Sequence, residues 1–228
     1  MSLILSGTDG LSDVDGTAAT PAIRGTDANT GIFFGTDIIG FSEGGVEAMR
    51  INASGNVVMT GTLTTAAQSI AKASLPTGSV LQVVSTTLTT GFSTTSTSMV
   101  DVTGLSLSIT PTSASSKVLI SVNVSMSAGA GGAVIFYQMV RDSTAIGIGT
   151  TGGANFNTTG AMYSGDASTN QNFIYPSSQL LDSPATTSAT TYKVQISSNN
   201  GAQAVYINKR SDNYISAIST ITAMEIAA

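Results

Sequence analysis

The chain has 228 residues, carries eight Lys and Arg against thirteen Asp and Glu, and has a net charge of −5 with no His and no Cys. Only 9% of it is charged while 41% is hydrophobic, where a typical soluble domain is about 25% charged. This balance excludes a disordered acidic tail and disfavours a phosphate-binding surface. It also leaves no thiolate, no disulfide framework and no near-neutral imidazole for acid–base work or metal binding.

Serine and threonine make up about 28% of the chain, far above ordinary usage, and Val, Ile and Thr suit pleated strands. Residues 1–39 repeat the triplet Gly-Thr-Asp at Gly7, Gly25 and Gly35, a turn vocabulary separating short strands. The apolar clusters between them (Leu3–Leu5, Ile32–Phe34, Ile38–Phe41) are too short to build a monomeric core, and so few residues seldom fold alone. Partner chains, or the structure to which this segment attaches, are expected to stabilise it. In residues 40–78, Val46–Asn52 and Val57–Leu63 flank the turn Asn52-Ala53-Ser54-Gly55-Asn56 as a hairpin-like repeat. Thr65 to Ser74 then turns alanine-rich, with Ala67, Ile70, Ala71 and Ser74 on one helical face. Two turns of helix are unstable alone, so the segment is either a bundle of short helices from several chains or a linker, closed by Leu75-Pro76-Thr77-Gly78.

Residues 79–228 read as one β domain. Leu105, Leu107 and Ile109 alternate with Ser106, Ser108 and Thr110, and Val118, Ile120, Val122, Val124 and Met126 alternate in the next run. Period two gives one apolar and one polar face, so these runs are expected to be neighbouring strands of a sheet. Ala133–Val140 is continuously apolar, fitting a strand buried on both faces or a subunit contact. The turn Arg141–Thr144 follows it, and residues 149–190 lack clear periodicity. Tyr192, Val194 and Ile196 alternate, and Asn200-Gly201 predicts a tight hairpin back to Ala204–Asn208. Ile218, Thr220, Thr222, Met224 and Ile226 are expected to close the core. About eight strands of this kind make an all-β, jelly-roll-like sandwich.

No motif carries catalysis clearly. Gly147–Gly152 matches G-x-G-x-x-G with Asp166 beyond it, but no helical period follows, so the loop reading is preferred. Asp13-Val14-Asp15-Gly16 lacks the rest of a calcium loop. The triplets at Asn52, Asn123 and Asn157 fit glycosylation only by composition. The acids of residues 79–228 are isolated in sequence, and no G-x-S-x-G elbow is present in that stretch. No catalytic residue, metal site or cofactor is therefore expected. No apolar run approaches the ~20 residues of a membrane span, and the N-terminus lacks the basic region of a signal peptide. The aromatics Tyr163, Phe173, Tyr175, Tyr206 and Tyr214 stand beside Asn, Ser and Asp. Such pairings suit contact with a glycan or protein surface, or else cap a core or subunit interface. Tyr163, Asn172, Phe173, Tyr175 and Tyr214 are the candidate receptor-binding residues.

Two stretches carry a resemblance. Pro21–Phe34, followed by Ala48-Met49-Arg50-Ile51-Asn52-Ala53-Ser54-Gly55-Asn56-Val57, is similar to the shaft-type repeat of tail fibre proteins of marine bacteriophages. Asp101–Leu105, Ser115–Leu119, Arg141–Thr144 and Thr222–Ile226 resemble the terminal β domain of phage fibres of cyanobacterial and other marine hosts. The resemblance implies a homotrimeric virion protein with a globular head that contacts the host surface, a glycan or a protein. Residues 1–39 would anchor it to other virion proteins, 40–78 would form shaft and neck, and 79–228 the head. The large tail-attachment domain and self-cleaving chaperone of many such fibres have no counterpart here. That departure raises the alternative of a capsid-mounted head fibre or decoration protein. A glycan depolymerase is the least favoured alternative; membrane insertion and nucleic-acid binding are not expected.

Overall fold

Strand follows strand throughout the residues that the structure describes, which in this computed structural model are 15–61, 75–129, 131–150, 157–164 and 173–228. The alanine-rich segment 65–74 and Asp166 lie outside them. The chain divides into two units, Met1–Ser69 and Ile70–Ala228.

The first unit is a five-stranded antiparallel meander in chain order: β1 (Ile23–Arg24), β2 (Gly31–Gly35), β3 (Ile38–Glu43), β4 (Val46–Ile51) and β5 (Val57–Met59). Its turns follow from local chemistry. Gly44 and Gly45 both take positive φ between β3 and β4, as a two-residue hairpin requires. Asn52 Oδ1 accepts the N–H groups of Ser54 and Asn56 between β4 and β5. Directly opposed residues share a face. One face therefore carries two apolar rows, Ile23–Ile32–Phe41–Met49–Met59 and Phe34–Ile39–Ile51–Val57. On the other face, Phe33 is buried over Gly40, where an added Cβ would sit 2.2 Å from the ring.

The second unit is a two-layered sandwich. One layer has the order β15 (Ser177–Asp182), β9 (Lys117–Asn123), β18 (Ser219–Ile226), β6 (Val80–Leu88). It continues, in the same order, as β14 (Phe173–Ile174), β10 (Met126–Ala128), β17 (Val205–Ile207), β7 (Phe92–Thr94). The facing layer is β12 (Thr144–Ile146), β11 (Val134–Arg141), β16 (Thr190–Ser198), β8 (Val100–Ile109), with β13 (Gly160–Tyr163) also on β11. Apart from the short hairpin β11–β12–β13, the chain crosses from one layer to the other at each connection. With this strand order the unit is a jelly roll. Its core lies between the layers, with Leu105, Ile109, Val118, Ile120, Ile135, Ile196, Ile207 and Ile221 at or near zero exposure. Gly104, at φ +86, lets Val102 and Leu105 both face inward across a bulge in β8.

Four strands of the first layer break along one line, and polar groups stitch the break. Asn208, at φ +60, donates its amide to the carbonyls of Leu88 and Thr90, and its N–H to Ser125 O. Ser219 Oγ donates to Asn208 Oδ1 and accepts from Ser125 N–H. Val124 N–H donates to Pro176 O, which carries the seam to β14 and β15.

Several local expectations change. β8 and β9 alternate as read, but the loop 110–116 carries the chain to the opposite layer, so they are not neighbours in a sheet. Asn200-Gly201 likewise sits in a crossing loop, with neither residue at positive φ, because β16 and β17 belong to different layers. β11 is half-buried on its outer face at Val134, Phe136 and Gln138 rather than buried on both. β18 is in the opposite phase: Ser219, Ile221, Ala223 and Glu225 face the core, and Thr220, Thr222, Met224 and Ile226 face outward. Burying a carboxylate costs free energy unless it is hydrogen-bonded, and Glu225 has partners that no pattern of hydropathy shows.

Candidate functional site

The jelly roll has two ends of different character. At the end where residue 75 leads into β6, the chain is fastened to itself by Gly78 N–H to Ala227 O and Ala227 N–H to Ser79 O. Fully buried Glu225 accepts from Thr112 N–H (2.6 Å), Thr112 Oγ1 (2.7 Å) and Gln82 Nε2 (2.6 Å). Burial alone would push its carboxyl up, but these donors outweigh it and hold the group below the ordinary glutamate value. Asp182, on the opposite edge of the layer, accepts from Arg141 at 2.9 Å and from Tyr192 Oη at 2.7 Å. Burial and that carboxylate push the Tyr192 phenol up. Each of the two carboxylates accepts three hydrogen bonds from groups inside the fold. A cavity of about 240 Å³ at this end is lined by Leu75, Leu81, Thr112, Ser113, Ser115, Ser116, Ala227 and Ala228, and no lining side chain is ionisable.

The other end is built from residues 95–99, 131–133 and 199–204, with Gly129 and Ser164 beside them. Ser198 N–H donates to Ser96 O, Asn199 N–H to Val134 O, Ser164 N–H to Ala133 O and Gly129 N–H to Ala204 O. Gln203 reaches Gly131 O through its amide. These bonds make a stitched, chemically neutral platform away from the point where the chain leads into β6.

The candidate aromatics fall into separate groups. Phe173 and Tyr175 meet edge to face with centroids 5.1 Å apart, Phe173 half-buried and Tyr175 64% exposed. Tyr163 is exposed at the end of β13 in the opposing layer, so Tyr163 and Phe173 flank the segment 164–172. Asn172 lies outside the described residues. Tyr214 is 83% exposed at the tip of the excursion between β17 and β18. Arg210 stacks at 5.5 Å over its ring and pairs with Asp212, whose carboxylate accepts Tyr214 N–H. That N–H and the guanidinium hold the Asp212 carboxyl below the usual carboxylate range. Tyr206, by contrast, sits half-buried on β17 under Lys209. Tyr163, Phe173 and Tyr206 are on strands, where alternate positions point outward.

Sequence reasoning missed the Arg210–Asp212–Tyr214 arrangement. Its signal was present in Arg210-Ser211-Asp212-Asn213-Tyr214, a turn in which an Asp caps the backbone two residues on. Among the described residues, no group of three or more Asp and Glu converges in a way that could hold a metal ion. No described helix is long and apolar enough to cross a membrane.

No protein-family model and no characterised protein matches the sequence. Among solved structures, the chain is similar to T=1 particles derived from infectious bursal virus, at 14% identity over 91% of this chain and 50% of that one, TM-score 0.34. It is also similar to the T13 particle of infectious bursal disease virus (13% identity, 84% and 45% covered, TM-score 0.36). A third likeness is to that virus's VP2 subviral particle (15% identity, 84% and 47% covered, TM-score 0.34). The chain spans about half the length of each of these chains. At these scores the likeness adds nothing to what the strand order already establishes.

Proposed function

We propose that the protein is a non-enzymatic structural component of a bacteriophage particle: a homotrimeric fibre protein whose jelly-roll head contacts the host cell surface. The observation that carries this reading is the place of the fibre-like sequence. Arg50-Ile51-Asn52-Ala53-Ser54-Gly55-Asn56-Val57 forms the β4–β5 hairpin of a sheet that, among the described residues, is one-layered and leaves an apolar face open. A self-sufficient jelly roll follows it. A thin sheet that needs company and a head that does not is the division of labour expected of an oligomeric shaft and its terminal knob.

The contact surface proposed on the head comprises Tyr163, Phe173, Tyr175 and Tyr214, together with Asn172. Their rings offer flat apolar faces, and Arg210 holds the Tyr214 ring in place before any partner arrives, which lowers the ordering cost of binding. Residues 1–39 are proposed as the attachment to other virion proteins.

Antibody against residues 79–228, imaged on intact particles by electron microscopy, tests the reading. Label at the tail supports host contact through the head; label on the capsid supports a decoration protein instead; particles without label overturn the virion role. A mass of three chains in solution is expected, and a monomer at micromolar concentration overturns the trimer. Incubation with host polysaccharide should release no new reducing ends.

A further inference from the structure

We propose that the open apolar face of the β1–β5 sheet is the surface through which copies of this chain associate. The inference rests on the oligomeric reading above and adds the place where the copies meet.

The two faces of this sheet are finished differently. One holds buried Phe33 over Gly40, buried Pro21, and the ion pair of Glu47 with Arg50 at 2.6 Å. The other holds the two apolar rows, one crossing all five strands and the other crossing β2 to β5, neither with a polar interruption. Val57 is 61% exposed there, and Ile39 and Met59 are 41% exposed. A sheet with one face toward water normally places polar side chains on that face. A contiguous apolar face marks an interaction site.

The chemistry of the face selects the occupant. Neither row contains a charge or a side-chain hydrogen-bond donor, so a polar or charged partner has nothing to pair with. Depletion of charge at the centre of an apolar patch is the composition of obligate homomeric interfaces, which resemble a domain core cut in half. The unit also needs its partner in order to fold. Phe33 is its only large apolar side chain counted as buried among the described residues, and so small a core seldom sustains a domain. A partner required at every folding event and in fixed proportion is met most directly by a second copy of the same chain. Strand spacing and rise give the face a footprint of roughly 19 by 17 Å, so two such faces cover about 650 Å² in plan, and the relief of their side chains brings the accessible surface removed from water toward the roughly 1,000 Å² of a specific interface.

The jelly roll offers a poorer surface. Its outer face carries one apolar row, Leu181–Leu119–Met224–Val83, and the next row, Gln179–Ser121–Thr222–Ser85, is wholly polar.

The test uses the full chain. Because it has no Cys, a single introduced thiol reports only on contact between copies. Val57→Cys should cross-link between chains under mild oxidation, whereas Val58→Cys, on the opposite face, should not. Ile51→Glu with Val57→Lys keeps a favourable cross-strand pair within the sheet but places charge on the face. This double variant should have the mass of one chain by light scattering, with the melting of the jelly roll unchanged. Leu181→Ser with Val83→Ser should keep the wild-type mass. The proposal is overturned if the charged variant keeps the wild-type mass, if the jelly-roll variant dissociates in its place, or if Val57→Cys fails to cross-link an oligomeric wild type. A wild type with the mass of one chain would instead sink the oligomeric reading itself, and this inference with it.

Discussion

The jelly roll and the five-stranded meander are made from the same strand vocabulary, yet one closes on itself and the other does not. In residues 79–228 the inward positions of two layers meet, so Leu105, Ile120, Ile135 and Ile207 lose essentially all contact with water. In the meander the corresponding alternation produces a face of Ile, Phe, Met and Val with no second layer among the described residues, and Val57 stays mostly exposed. Alternation specifies which side of a strand is apolar. Whether that side becomes a core depends on a second layer, supplied by the same chain or by another copy.

The largest expected effect sharpens the first half of this contrast. Ile120→Ala removes a fully buried side chain from between the layers and should cost the jelly roll about 2–5 kcal/mol. Urea unfolding followed by tyrosine fluorescence reads it, and a loss below about 1 kcal/mol would mean that the core repacks freely.

Next comes Glu225, the charge inside that core. Glu225→Gln replaces an acceptor oxygen with a donor facing Thr112 and Gln82 and should cost about 2–3 kcal/mol at neutral pH. The folded carboxyl titrates below its ordinary value of 4.5. Its stabilisation is therefore complete above the unfolded value and is lost as pH falls toward and through the lower folded value. Melting temperatures of the wild type should drop more steeply below that point than those of the variant; parallel acid profiles would show that Glu225 is not the group responsible.

A smaller effect is expected in the meander. Gly40→Ala places a methyl 2.2 Å from the Phe33 ring and should cost roughly 1–3 kcal/mol through displacement of that ring. Amide exchange should rise in residues 31–42 and stay unchanged in the jelly roll. Faster exchange in both would break the picture of two separately built units. Tyr214→Ala should leave stability within about 0.5 kcal/mol of wild type, as substitutions at exposed positions usually do. Adsorption of particles to host cells should nevertheless fall, and unchanged adsorption would remove Tyr214 from the contact surface.

Much of this was legible in the residues. Period two in Leu105–Ile109, Val118–Met126 and Tyr192–Ile196 located strands correctly and chose their inward side, because the pleat ties side-chain direction to position along the chain. The turn at Asn52–Asn56 was readable because few residue types suit its backbone. Strand partners were not readable. β8 and β9 are consecutive and equally amphipathic, yet face each other across the core, and Asn200-Gly201 crosses between layers instead of closing a hairpin. The phase of β18 was also hidden, since Ile221, Ala223 and Glu225 look no more inward than Thr222, Met224 and Ile226 until Thr112 and Gln82 supply donors from distant positions. The same holds for the aromatic pair Phe173–Tyr175 and for Arg210 over Tyr214. Local sterics and hydropathy act between near neighbours in sequence, and so composition and pattern alone determined strands and turns. Pairing and the burial of charge depend on which distant residues arrive alongside, and only the tertiary structure decided those.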